Sequence, residues 1–186
     1  MELKGVFGGA FDPPHVGHVG LATAAKQHFG LPQLTILVAE HPGHKETYLP
    51  AETRLELARA AFPGDDVRLD PYPRTIDLLR GESFADPLFI VGADQFSDFL
   101  LWKEPDAVLE RVRLAVATRP GYPRERLDAV LEELDQPERV VFFDIEPNPA
   151  ASRDIRALAD AGAPLTGLVP DAVEKLILER GLYGSH

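Results

Sequence analysis

At 186 residues the chain is long enough for one domain with a sizeable core and too short for a second large one. Its 45% hydrophobic and 26% charged content excludes fibrous and disordered classes, and the lack of cysteine removes disulfides, thiolate zinc sites and cysteine nucleophiles together. A net charge of −11, from 19 basic against 30 acidic residues, argues against nucleic acid as a partner, because a long polyanion needs a clustered basic field. A small anion stays open, since a few basic side chains and a helix N-terminus hold phosphate inside an acidic surface. No basic segment followed by an apolar one opens the chain, and no run of about 18 apolar residues occurs, so a cytoplasmic protein with no membrane partner is expected.

Apolar runs rich in branched residues predict strands at Leu3–Phe7, Leu34–Ala39, Val67–Leu69, Pro87–Val91, Leu114–Thr118 and Val140–Phe143. Helical stretches lie between them. His15–Phe29 closes on Gly30, Ala51–Ala61 follows Pro50, Thr75–Arg80 closes on Gly81, and Asp106–Arg111 follows Pro105. Arg124–Leu134 sets Leu127, Val130, Leu131 and Leu134 on one stripe, and Asp171–Arg180 repeats that pattern before stopping at Gly181. This alternation predicts a Rossmann-like three-layer α/β/α fold with a mostly parallel sheet, one domain over residues 1–183. Residues 184–186 are set aside as an expression scar or a disordered end. Ligands of such sheets sit at the carboxyl ends of strands, so chemistry is expected just after Phe7, Ala39, Val91 and Thr118.

The segment after Phe7 reads GGAFDPPHVGH. Gly8 and Gly9 let backbone amides approach a ligand, and Pro13 and Pro14 stiffen the way into the helix. His15 and His18, three apart at the helix start, share one face beside the positive end of the dipole. Two imidazoles and a row of amides thus face one anion. The segment is neither a dinucleotide fingerprint, lacking G-x-G-x-x-G, nor a P-loop, lacking the Gly-Lys-Ser/Thr ending. A metal held by the two histidines and Asp12 is a further reading, although no other ligand is evident.

GGAFDPPHVGH resembles the signature of the nucleotidyltransferases that carry an H-x-G-H motif, and among them most closely the bacterial nicotinate-nucleotide adenylyltransferases. The resemblance continues in PGHK at Pro42–Lys45, RTIDLL at Arg74–Leu79, GADQFSDFLLWKEP at Gly92–Pro105, RPGY at Arg119–Tyr122 and LVPDAVEKLILERGLY at Leu168–Tyr183. Blocks in the right order are more specific than one motif. What it implies is adenylyl transfer from ATP to nicotinate mononucleotide, giving nicotinate adenine dinucleotide and pyrophosphate, with Mg²⁺ bound through the ATP phosphates. ATP and nicotinate mononucleotide are then the expected partners, and a homo-oligomer is compatible with the sequence.

The same resemblance implies catalytic roles for His15, His18 and Arg156. ATP would be bound by Gly8, Gly9, Ala10, Phe11, His15, His18, Gly92, Asp94, Ser152, Ile155 and Arg156, with Ser152 as the N-cap of a helix after the last strand and Asp94 on the adenosine ribose. The mononucleotide would be bound by His44, Lys45, Thr75, Trp102, Lys103 and Arg119, with Trp102 stacked on the pyridine ring. No protein metal ligand is implied. The chain departs from the family pattern at Gly43 for a proline, at Pro73-Arg74 for Ser-Tyr, at Ala150-Ala151 for Ile-Ser, and at Arg153 for Thr or Ser. Arg74 touches the part of the site that tells acid from amide, so transfer to nicotinamide mononucleotide is an alternative. Phosphopantetheine adenylyltransferase shares the first turn but not the WK block or the RGLY ending. A sensor that binds ATP or a dinucleotide without turnover is the reading of another class.

Overall fold

A computed structural model describes residues 4–43 and 46–184. Leu3, His44, Lys45, Ser185 and His186, which figure in the expectations above, lie outside the described residues. Six strands, β1 (Gly5–Gly9), β2 (Leu34–Ala39), β3 (Asp66–Asp70), β4 (Leu88–Gly92), β5 (Arg113–Thr118) and β6 (Val140–Asp144), form one parallel sheet in the order β3-β2-β1-β4-β5-β6. The expected Rossmann-like α/β class is therefore what forms. The helices are α1 (Val16–Phe29), α2 (Ala51–Ala61), α3 (Thr75–Gly81), α4 (Ala93–Ser97), α5 (Pro105–Leu109), α6 (Arg124–Glu132), α7 (Ser152–Asp160) and α8 (Asp171–Arg180).

Side chains alternate across each strand, and the alternation sorts the molecule into layers. Phe7, Ile36, Val38, Ile90, Ala115 and Phe143 face one side, where Ala22 and Ala25 of α1, Leu57 and Ala58 of α2, Ile155 of α7 and Ile177 of α8 cover them. Val6, Leu37, Phe89, Val91, Leu114 and Val116 face the other, under Ile76 of α3, Phe96 of α4, Val108 of α5 and Leu127 of α6. Burying each such side chain stabilises the fold by roughly 1.5–3 kcal/mol relative to leaving it in water. Strands buried on both faces explain the near-continuous apolar runs. After β3 the chain returns through α3 to the far side of β1, so a topological switch point falls between β1 and β4.

Some bounds shift by one or two residues, and three departures from expectation have a plain physical reason. β1 runs on through Gly8 and Gly9, which pair with Leu37 and Val38 of β2, because a ladder needs only the backbone that glycine retains. α1 begins at Val16, with His15 as its N-cap. α4 and the 3-10 turn Phe99–Leu101 fill a stretch whose polar Asp94 and Gln95 hide its helical character from an apolar-pattern reading. Among the described residues no helix is long and apolar enough to cross a membrane.

Candidate active site

β1 hands over to α1 through a turn in which the Asp12–Pro13 bond is cis and Phe11 sits at φ 51°. A non-glycine residue in that left-handed region costs on the order of 1 kcal/mol. Burial offsets it: the Phe11 ring, 1% exposed, lies against the rings of Phe7, Phe62 and His18 at centroid distances of 5.6, 5.4 and 5.1 Å. A Cβ on Gly9 would come within 3.0 Å of that ring, so glycine lets the aromatic fold back beneath the turn. The Phe11 side chain therefore belongs to the core, which leaves its backbone alone for the nucleotide contact expected of it.

His15 and His18 cap α1 reciprocally. His15 Nδ1 accepts the Gly17 N–H at 3.1 Å, and His18 Nδ1 accepts the His15 N–H at 3.2 Å. A ring nitrogen that accepts carries no proton, so the neutral form of each ring holds its proton on Nε2. The rings stack with centroids 3.7 Å apart and planes 26° from parallel. Burial pulls the His15 pKa down to about 4, so at neutral pH His15 is an uncharged Nε2–H donor. A Cβ on Gly17 would lie 3.0 Å from the His15 ring, so glycine lets that ring sit close over the helix start without having to shift. The amides are less available than the sequence suggests, because the Val16 N–H is taken by the Leu168 carbonyl at 3.0 Å and that of Gly17 by His15.

Below this turn lies a polar network. Asp12, 4% exposed, accepts from the Tyr183 hydroxyl at Oδ1 (2.7 Å) and from the Tyr48 N–H at Oδ2 (2.6 Å). Among the described residues no group of three or more His, Cys, Asp or Glu side chains gathers as a metal site. Arg54 of α2, 1% exposed, donates to the carbonyls of Leu49, Ala10 and Ala39 at 3.1, 2.7 and 2.8 Å. It thereby ties the ends of β1 and β2 together. Burial lowers its pKa, while the charge of Asp12 opposes the shift. Burial next to Asp12 raises that of Tyr183, keeping its hydroxyl protonated as a donor.

α7 meets the same turn. Arg156 Nη1 donates to the Asp12 carbonyl at 2.7 Å, and its guanidinium lies over the Tyr48 ring at 4.3 Å. Ser152 is not the N-cap: Ala151 holds that position, and the Ser152 hydroxyl instead donates to the Pro13 carbonyl at 2.9 Å. A serine one residue inside the helix lacks the extended backbone a cap requires, and here it stitches α7 to the histidine turn. Ile155 is buried in the core at 1% exposure, so only its backbone is available to a ligand. Arg153 is exposed.

Along the sheet edge, Gly92 caps α4, which removes the cap role from Asp94. Asp94 is exposed and accepts from the Tyr122 hydroxyl at 3.2 Å, itself 2.8 Å from Ser97 Oγ. Arg119, at the end of β5, is exposed, and its carbonyl accepts the Tyr122 N–H at 3.1 Å. In the same layer, Thr75 opens α3, and Lys103 is committed to Asp77 of that helix at 2.9 Å, an exposed ion pair. Trp102 packs half-buried on Phe99 at 5.1 Å. Arg74 is exposed, and its Nη1 donates to the Pro73 carbonyl at 2.8 Å. The structure thus gathers His15, His18, Arg156 and Ser152 around one turn, and forms a second corner from Thr75, Asp77 and Lys103. Arg54 and Tyr48 were not legible as site residues, Asp12 was read only as a possible metal ligand, and for Tyr122 and Tyr183 the matching RPGY and RGLY blocks were the only signals.

A family model described as "Cytidylyltransferase-like" matches residues 6–158. A relative from Rubrobacter xylanophilus, named "Probable nicotinate-nucleotide adenylyltransferase", is 35% identical over 96% of this chain and 91% of its own. One of the same name from Thermus thermophilus is 36% identical over 96% of this chain and 98% of its own. Among solved structures, Plasmodium falciparum nicotinic acid mononucleotide adenylyltransferase complexed with NaAD has the same fold, with a TM-score of 0.79 at 13% identity over 98% of both chains. The chain belongs to the cytidylyltransferase-like family of nucleotidyltransferases and, within it, to the nicotinate-nucleotide adenylyltransferases.

Proposed function

We propose that the chain transfers the adenylyl group of ATP to nicotinate mononucleotide, giving nicotinate adenine dinucleotide and pyrophosphate. The reciprocal histidine cap carries this reading. An oxygen of the mononucleotide phosphate attacks the α-phosphorus in line. The bond from that phosphorus to the oxygen bridging the β-phosphate breaks, and pyrophosphate leaves with the electron pair. No protein nucleophile is needed, so catalysis consists of holding two polyanions in reach and stabilising the charge that develops on their oxygens.

His15 and His18 supply Nε2–H donors to the ATP phosphates, and their tautomers are set before substrate arrives. Arg156, anchored through Nη1 on the Asp12 carbonyl, turns its remaining N–H groups to the same phosphates. Asp94 accepts from the adenosine ribose, Trp102 stacks on the pyridine ring, and Thr75 and Arg119 complete the acceptor side with His44 and Lys45. Mg²⁺ would be bound through the phosphate oxygens of ATP, where it would offset their charge, and no protein ligand is assigned to it.

Pyrophosphate release from ATP, measured with nicotinate mononucleotide, nicotinamide mononucleotide and phosphopantetheine offered separately, tests this reading. Release is expected to be fastest with the first. Release with phosphopantetheine alone would overturn the acceptor, and ATP binding with no release in any mixture would leave a nucleotide sensor.

A further inference from the structure

We infer that Tyr183 is a positioning residue for the adenylyl transfer, acting through the Asp12 carboxylate on the histidine turn and on Arg156; the inference rests on the reaction proposed above.

Tyr183 lies in the turn after α8, 171 residues along the chain from Asp12, yet its hydroxyl makes the 2.7 Å bond to Oδ1. Its backbone is left-handed at φ 62°, a conformation that tyrosine adopts only where its surroundings hold it. Its ring packs against the core layer that includes Phe7 and Ile155. Asp12 in turn is the point where separate segments meet. Its Oδ2 takes the Tyr48 N–H, its carbonyl takes Arg156 Nη1, and the Tyr48 ring lies beneath the Arg156 guanidinium. Only Pro13 and Pro14 separate Asp12 from His15, and proline leaves φ almost no freedom. A rotation of Asp12 is therefore passed on to the histidine pair and to the arginine together. Tyr183 supplies a side-chain donor that holds the carboxylate against such a rotation. Misplacement of reacting groups by about 1 Å costs as much as 10²-fold in rate.

Tyr183→Phe keeps the ring in the core and removes only the hydroxyl. Steady-state kinetics of pyrophosphate release, with thermal unfolding and the ATP dissociation constant measured on the same samples, test the inference. The expected result is kcat down about tenfold with KM for both substrates and the ATP dissociation constant within twofold of wild type. A double variant with Asp12→Asn is expected to lose no more than the worse single variant, because both changes act on one bond. A lower melting temperature with kcat unchanged would make Tyr183 a structural residue and overturn the inference, as would additive losses in the double variant. A wild-type chain that releases no pyrophosphate with nicotinate mononucleotide would instead overturn the reaction, and this inference with it.

Discussion

The imidazole rings of His15 and His18 lie 3.7 Å apart, each with Nδ1 occupied by a backbone N–H of the same helix start. One device does two things: it satisfies orphan amides at the opening of α1, and it leaves the proton of each neutral ring on Nε2.

His18→Ala removes one proposed donor to the transition state together with one acceptor of the cap. Turnover is expected to fall by about 10²–10³, as it does on loss of one such donor. The lost cap costs roughly 1 kcal/mol of stability, too little to unfold the chain. Near-normal kcat in a folded variant would remove His18 from catalysis.

The pKa of His15 predicts a pH dependence of stability. Burial lowers it from 6.5 to about 4, so between those values the unfolded chain binds a proton that the folded chain does not. Stability rises with pH wherever that holds. The contribution is thus complete above pH 6.5, declines as pH falls towards 4, and amounts to about 3 kcal/mol. Chemical denaturation from pH 8 to pH 4, compared between wild type and His15→Asn, should show this loss in the wild type alone.

Arg54 binds three carbonyls from a site closed to water. Arg54→Leu leaves them without those donors and is expected to cost about 3 kcal/mol. For a chain of this length that lowers the melting temperature by about 6–12 °C, which differential scanning calorimetry would register. An unchanged melting temperature would mean that water replaces the guanidinium without penalty.

Arg74 stands where the resemblance places a tyrosine, beside Thr75 and with its guanidinium exposed. A charge-assisted bond to the pyridine carboxylate favours the acid over the amide. Arg74→Gln is expected to reduce kcat/KM about tenfold with nicotinate mononucleotide and less than twofold with nicotinamide mononucleotide, as charged hydrogen bonds of about 1.5 kcal/mol imply. Equal losses with the two substrates would assign acid recognition elsewhere.

Much of this protein was legible along the chain because its signals are local. Leu34–Ala39 and Leu114–Thr118 announce buried parallel strands by composition alone, and Gly30 and Gly181 end their helices in the left-handed conformation that glycine tolerates. GGAFDPPHVGH marks the candidate site because its spacing puts both histidines at one helix start. Arg54 was hidden for the opposite reason. An arginine on an amphipathic helix is usually solvated, and only the convergence of β1, β2 and α2 turns three carbonyls towards it. Ser152 misled in the same way, since serine near a helix start is most often a cap, and the partner it takes, Pro13, lies at the other end of the chain.

The order of residues by itself determined the alternating fold, the edge of the sheet that carries the candidate site and the pair of imidazoles, because periodicity and motif spacing act over a few residues. The tertiary structure alone decided which nitrogen of each ring keeps its proton, which amides are already spent, and that Asp12 joins Tyr48, Arg156 and Tyr183. Those outcomes depend on burial and on partners up to 171 positions apart, and the free energy of a buried polar group is set by whichever segment folds against it.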